Sequence, residues 1–159
     1  MADNESPAID DLSVTRFIDA PPETVWDVMA NRQEEWWCPA PWRVRIDRQE
    51  RRAGGACDMT VLGPNGEEME QRGLYLAWDE GSGWVTTDAV TAGFEPAEPF
   101  MIGIWRIEPE GDGTRYTASA RHWTEEKRAE HAAMGFIEGW TACADQLAVL
   151  CETQSGAER

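Results

Sequence analysis

The chain has 159 residues, with 30 Asp and Glu against 14 Lys and Arg, for a net charge of −16. That length suits one domain with a real core. So acidic a balance argues against nucleic acid and anionic membranes as partners, which need basic surfaces. No apolar run is long enough to span a bilayer, and no signal peptide is visible, so the cytoplasm is the expected location.

Residues 1–12 are polar and acidic and read as a flexible leader. Ser13 to Asp19 reads as a strand, with Val14, Arg16 and Ile18 alternating with Thr15 and Phe17. Ala20-Pro21-Pro22-Glu23 ends it, and Pro22 suits the first turn of a helix reaching about Ala30. A second helical turn covers Gln33 to Trp37 and stops at Cys38-Pro39-Ala40-Pro41. The pattern then changes to strands: Trp42 to Arg48, Ala56 to Leu62, Glu68 to Trp78, Trp84 to Val90, Phe100 to Glu108, and Thr114 to Trp123. Gly63-Pro64-Asn65-Gly66, Glu80-Gly81-Ser82-Gly83 and Glu110-Gly111-Asp112-Gly113 turn the chain between them, and Thr91 to Glu98 is a longer loop. Strands joined in series by short turns make an antiparallel meander. With helices kept to one face, the layout is α+β.

The last periodic stretch, Thr124 to Cys151, predicts one long helix. Its apolar positions Ala129, Ala132, Phe136, Trp140, Cys143, Leu147 and Cys151 fall on one stripe. Thr124 can cap it, and Glu125 and Glu126 suit the positive end of its dipole. Gly135 and Gly139 each cost about 1 kcal/mol inside a helix. A helix that keeps both has something close against it or leaves a space beside it. The domain is expected over 13–152, followed by a flexible tail over 153–159.

Nine tryptophans are far above ordinary usage. Most are expected to fill a core. Large rings with a polar N–H also suit the wall of a ligand cavity. Trp37 and Trp42, flanking the Pro-rich loop, and Trp140, beside the helix glycines, are the stronger wall candidates. On the last strand Tyr116, Ala118, Ala120 and His122 share the more apolar face, which aims His122 inward. A satisfied core histidine is the plain reading, and an acid/base role is the alternative. Asp88, in Thr86-Thr87-Asp88-Ala89, is a turn cap or a perturbed inward carboxylate.

None of Cys38, Cys57, Cys143 and Cys151 forms a C-x-x-C pair. Cys143 and Cys151 lie roughly 12 Å apart along a helix and cannot bond to each other. Free thiols are expected. A zinc site from Cys38, Cys57, His122 and His131 finds no support in their spacing, so neither metal nor cofactor is expected. No nucleotide loop, paired-carboxylate or nucleophilic-triad signature is present.

Several segments resemble a known family. Ile18-Asp19-Ala20-Pro21-Pro22-Glu23-Thr24-Val25-Trp26 is similar to the opening strand–helix junction of the SRPBCC superfamily of START-like, helix-grip domains. Gly63-Pro64-Asn65-Gly66, Gly73-Leu74-Tyr75-Leu76 and Thr87-Asp88-Ala89 resemble the sheet of its branch similar to activators of the heat-shock chaperone ATPase. His131 to Phe136, Gly139-Trp140 and Asp145-Gln146-Leu147 resemble that branch's closing helix. The resemblance implies a curved antiparallel sheet, expected here with about six or seven strands, gripping the C-terminal helix. Two short helices stand at its open end and a cavity lies between. It implies no single activity: members bind lipids, sterols or polyketides, cyclise polyketides, or stimulate a chaperone.

The leading expectation is therefore a binding or carrier module for a hydrophobic or aromatic small molecule. Its cavity is expected to be lined by Trp37, Trp42, Phe94, Trp105, Tyr116, His122, Phe136 and Trp140. The alternative is a cyclase- or dehydratase-type enzyme using His122 or Asp88 in the same cavity. A third reading is a chaperone-associated interaction module. Oligomeric state stays open, a homodimer included.

Overall fold

The computed structural model describes residues 8–158. Leader residues 1–7 and the terminal residue 159 lie outside them. Strand β1 (Leu12–Ile18) leads into helices α1 (Pro22–Asn31) and α2 (Gln33–Trp36). Strands β2 (Arg43–Gln49), β3 (Cys57–Leu62), β4 (Glu68–Gln71), β5 (Leu74–Asp79) and β6 (Gly83–Thr87) follow. A small hairpin, β7 (Val90–Thr91) and β8 (Glu95–Pro96), comes next, then β9 (Ile102–Glu110) and β10 (Gly113–Arg121). Helices α3 (Glu125–Ala133) and α4 (Phe136–Ala157) close the chain.

All strand pairs are antiparallel, and the order in the larger sheet is β1-β10-β9-β6-β5. Strands β2-β3-β4 form a second sheet. The expected α+β helix-grip layout is present, but the sheet is divided. The Glu68 to Trp78 stretch, expected as one strand, breaks at Arg72-Gly73. A Cβ on Gly73 would sit 2.3 Å from the Thr87 carbonyl oxygen, so only glycine lets the chain pass so close to β6. The two sheets remain joined there: Cys57 N–H donates to the Gly73 carbonyl at 2.9 Å, and Tyr75 N–H to the Gly55 carbonyl at 2.9 Å. The Thr91 to Glu98 loop also contains more order than expected, since it holds β7 and β8.

A row of residues crosses the concave face of the larger sheet in register: Val14, Ala118, Trp105, Trp84 and Trp78. The side chains are small on β1 and β10, where α4 crosses closely, and large on the strands beyond. Trp78 and Trp84 stack at 5.2 Å, and Trp84 and Trp105 lie 5.9 Å apart. Trp26 from α1 meets both Trp78 and Trp84 edge-on. Such edge and offset contacts suit aromatic rings and bury much apolar surface. Most of the tryptophans thus serve the core.

The C-terminal helix differs from the sequence expectation. It is two helices, broken at Met134-Gly135, where Gly135 adopts φ +92°. The left-handed conformation is natural to glycine after a helix end and ends α3. Thr124 caps α3 through its hydroxyl, which accepts from Lys127 N–H at 3.1 Å. Because the axis changes at Gly135, Ala129 and Ala132 fall on an exposed face, and His131 is the buried residue of α3. The rest of the stripe behaves as its periodicity predicts: Phe136, Trp140, Cys143, Leu147 and Cys151 are buried against the sheet. Residues 153–157, expected in the tail, continue α4, and Ser155 is buried. At the other end, Leu12 starts β1, and Asp11 holds Arg121 through both carboxylate oxygens at 3.0 Å. Among the described residues no helix is long and apolar enough to cross a membrane.

Candidate functional site

A cavity of about 750 Å³ opens between the two sheets and the start of α4. Cys57, Met59 and Val61 of β3 form one side, and Phe136, Gly139, Trp140 and Cys143 of α4 form the other. The Pro-rich loop contributes Trp37, Cys38, Pro39 and Trp42. Asp88, Thr91, Glu98, Phe100 and Met101 complete the wall between β6 and β9. The loops at Cys38 to Trp42 and Thr91 to Glu98 therefore flank the opening.

The Pro-rich loop is fixed by α4. Gln146 donates through Nε2 to the carbonyls of Trp36 and Cys38, both at 2.9 Å, and accepts from Ala40 N–H at 2.8 Å. Cys38, at φ +89°, points its N–H at Cys143 Sγ, 3.3 Å away. This pinning sets Trp37 edge-on to Trp140 at 5.1 Å, while Trp105 stacks behind Trp140 at 5.4 Å. Gly139 faces the space these rings leave: a Cβ there would meet only Pro39 Cγ, at 3.8 Å. The glycine that weakens the helix is thus the one that keeps the cavity open.

The expected wall residues divide into three groups. Trp37, Trp42, Phe136 and Trp140 stand on the wall. Trp105, Tyr116 and His122 face inward as alternation predicts, but they are buried one layer behind it. Phe94 is away from it, 74% exposed, with its ring resting on Gly54. Asp88 does line the cavity, and its Oδ1 accepts from Phe100 N–H at 2.8 Å and Met101 N–H at 3.3 Å, the turn-capping role.

His131, considered in the sequence only as a zinc ligand, was not expected on the cavity wall. It lines the cavity and bonds through Nδ1 to Nε2 of His122 at 2.9 Å. Both histidines are buried. Phe100, Phe136 and Trp140 surround His131 at ring distances of 4.9, 5.1 and 6.0 Å. Desolvation and the neighbouring His122 push the His131 pKa down to about 4. Burial and the Arg128 charge lower that of His122 as well. Between the ordinary histidine value near 6.5 and about 4, the unfolded chain takes up a proton at this position and the folded chain does not. Stability at His131 is therefore lost as pH falls through that window, by at most about 1.4 kcal/mol per pH unit. Urea midpoints at pH 7 and pH 5 are expected to fall more steeply in the native chain than in His131→Phe. Equal slopes would mean that His131 is not held neutral.

The guanidinium at the mouth is already matched. Arg72 reaches Asp47 at 2.8 Å, Glu70 at 3.3 Å and the Met59 carbonyl at 3.0 Å. Burial raises the thiols of Cys38 and Cys57 to about 11 and that of Cys143 to about 12, so they stay protonated at neutral pH. Among the described residues no group of three or more His, Cys, Asp or Glu converges to hold a metal ion. Of the four residues weighed for zinc, only His122 and His131 are bonded to each other.

Residues 19–152 match the family model described as activator of Hsp90 ATPase homolog 1-like protein. A crystal structure of a protein from Nitrosomonas europaea is 30% identical, with a TM-score of 0.83 over 92% of this chain and 96% of that one. A solution structure from Arthrobacter aurescens, 21% identical, shares the fold at a TM-score of 0.77 over 90% and 86%. A protein from Silicibacter pomeroyi that carries the family's short name, AHSA1, is 18% identical at a TM-score of 0.68 over 91% and 99%. No curated protein sequence matches the chain.

Proposed function

This chain belongs to the activator of Hsp90 ATPase homolog 1-like family, within the SRPBCC superfamily of helix-grip domains, and we propose that it binds a hydrophobic small molecule in its cavity. The observation that carries this reading is the cavity itself. Its roughly 750 Å³ falls in the range of small-molecule sites, and its wall joins three tryptophans to aliphatic and thioether side chains. Flat rings of this kind suit an aromatic or polycyclic ligand body. Charge supports a neutral ligand over an anion. Glu70, Asp88 and Glu98 stand at the opening, and the guanidinium of Arg72 is paired. A cytoplasmic setting fits four free cysteines.

The family description names activation of a chaperone ATPase. For this chain ligand binding comes first, because the open, aromatic-walled cavity is its most developed feature. An enzyme of the cyclase or dehydratase type would need a titratable group at the ligand. His131 lines the cavity with His122 behind it, so on that reading any turnover by the native chain should be lost in His131→Gln. The test of binding is tryptophan fluorescence titrated with fatty acids, flavonoids and aromatic polyketides. One flavonoid or polyketide is expected to quench emission saturably at one site per chain. Non-saturating responses from all three classes would overturn the binding reading.

A further inference from the structure

His122 lies just past β10 and His131 is on α3, yet their rings meet through a 2.9 Å contact between Nε2 and Nδ1. Two neutral imidazoles can share such a contact only if one nitrogen carries the proton and the other is bare. Two arrangements satisfy this. In one, His131 Nδ1–H donates to His122, so the proton of His122 must sit on its Nδ1. In the other, His122 Nε2–H donates to His131, and the proton of His131 must sit on its Nε2.

The surroundings of His122 separate them. Its Nδ1 is buried with no hydrogen-bond partner. The first arrangement seals an N–H there without an acceptor, and the second seals only a lone pair. Orphaned buried N–H groups are the rarer, and an unsatisfied buried donor carries its full desolvation cost. The second arrangement is therefore the stable one. Arg128, Asp11, Asp88 and Glu125 are the charged groups acting on His122, while aromatic rings and His122 itself surround His131. The proton of His131 then lies on Nε2, on the far side of the ring from His122, with no hydrogen-bond partner among the described residues, in a residue that lines the cavity.

Building on the proposed ligand cavity, we infer that His131, fixed in its Nε2–H form by His122, donates a hydrogen bond to a ligand carbonyl. The cavity then selects neutral aromatic carbonyl compounds, such as aryl ketones, over hydrocarbons of the same shape. His131 is the specificity-determining residue, and His122 is a positioning residue that sets its tautomer.

The probes are 2-acetylnaphthalene and 2-isopropenylnaphthalene, which differ by an oxygen in place of a methylene. Affinities come from tryptophan quenching corrected for probe absorbance, in the native chain and in His131→Phe. The ratio of ketone to alkene affinity is expected to be about fivefold higher in the native chain, the scale of one net neutral hydrogen bond. Equal ratios in the two proteins would overturn the inference and leave the cavity reading standing. Failure of both probes to bind a native chain that still binds a flavonoid or polyketide would overturn the inference alone, and failure of every ligand class would overturn both. Long-range proton–nitrogen correlation spectra of the native chain give a second readout that needs no variant. They are expected to show His131 as the Nε2–H tautomer, with that nitrogen shifted by the ketone and unmoved by the alkene. A His131 found in the Nδ1–H form would overturn the inference.

Discussion

Gly139→Leu is expected to weaken the binding of an aromatic ligand at least tenfold while the protein stays folded. Gly139 lies in the first turns of α4, and its N–H donates to the Gly135 carbonyl at 2.9 Å. Its backbone is helical, so a side chain meets no conformational barrier there. A Cβ would touch only Pro39, and beyond it lies the space bounded by Trp37, Trp42 and Trp140. Leucine adds four carbons to that space. It also replaces a poor helix former with a good one, worth up to about 1 kcal/mol in a helix interior. The loss of binding and the change in stability thus have opposite signs, which separates a blocked cavity from an unfolded one. A tenfold loss corresponds to about 1.4 kcal/mol, less than the burial of two or three ring carbons provides. Unchanged affinity together with unchanged or higher stability would place the ligand elsewhere.

Trp36→Ala is expected to destabilise the fold by roughly 3–5 kcal/mol, the usual range for deleting a large buried aromatic side chain. Trp36 has 0% of its surface exposed. Its ring meets Trp37 edge-on at 5.7 Å and Tyr116 at 6.1 Å, and its N–H donates to the Met29 carbonyl at 3.3 Å. Its own carbonyl accepts from Gln146, so it sits where α2, the Pro-rich loop and α4 join. Alanine would leave a void at that junction with no neighbouring element free to close it. For a domain of this size the melting temperature should fall by roughly 10 °C. A fall of under about 3 °C would show that the junction repacks and that the loop is not rigidly held.

Features set by local periodicity were legible in the sequence. Alternation along β10 put Tyr116, Ala118, Ala120 and His122 on one face, and all four are buried there. Three-and-four spacing identified Phe136, Trp140, Cys143 and Leu147 as the buried stripe of α4. Periodicity did not reveal where that helix begins, because Ala129 and Ala132 continue the spacing across a break. Gly135 was the available signal: a glycine directly after a helical turn is as much a stop as an interruption. Nor does alternation distinguish a cavity wall from the layer behind it. Trp105 and Tyr116 face inward, but Trp140 stacks over Trp105, and Trp36 packs against Tyr116. Phe94 lies in a turn with φ +62°, where no pattern sets the direction of the ring. The pairing of His131 with His122 was not legible because the two are on different elements, and only the packing of α3 against the end of β10 brings the rings together.

Tryptophan indole resonances distinguish a ligand held between the sheets and α4 from one bound elsewhere. Seven of the nine tryptophans serve as reporters: Trp37, Trp42 and Trp140 line the cavity, Trp26, Trp78 and Trp84 cluster at the far end of the larger sheet, and Trp123 is on the surface. A proton–nitrogen correlation spectrum titrated with a binding flavonoid or aryl ketone should move the indole signals of Trp37, Trp42 and Trp140. Those of Trp26, Trp78, Trp84 and Trp123 should stay in place. Saturable shifts confined to the second set, with the first unmoved, would contradict a ligand site between the sheets and α4.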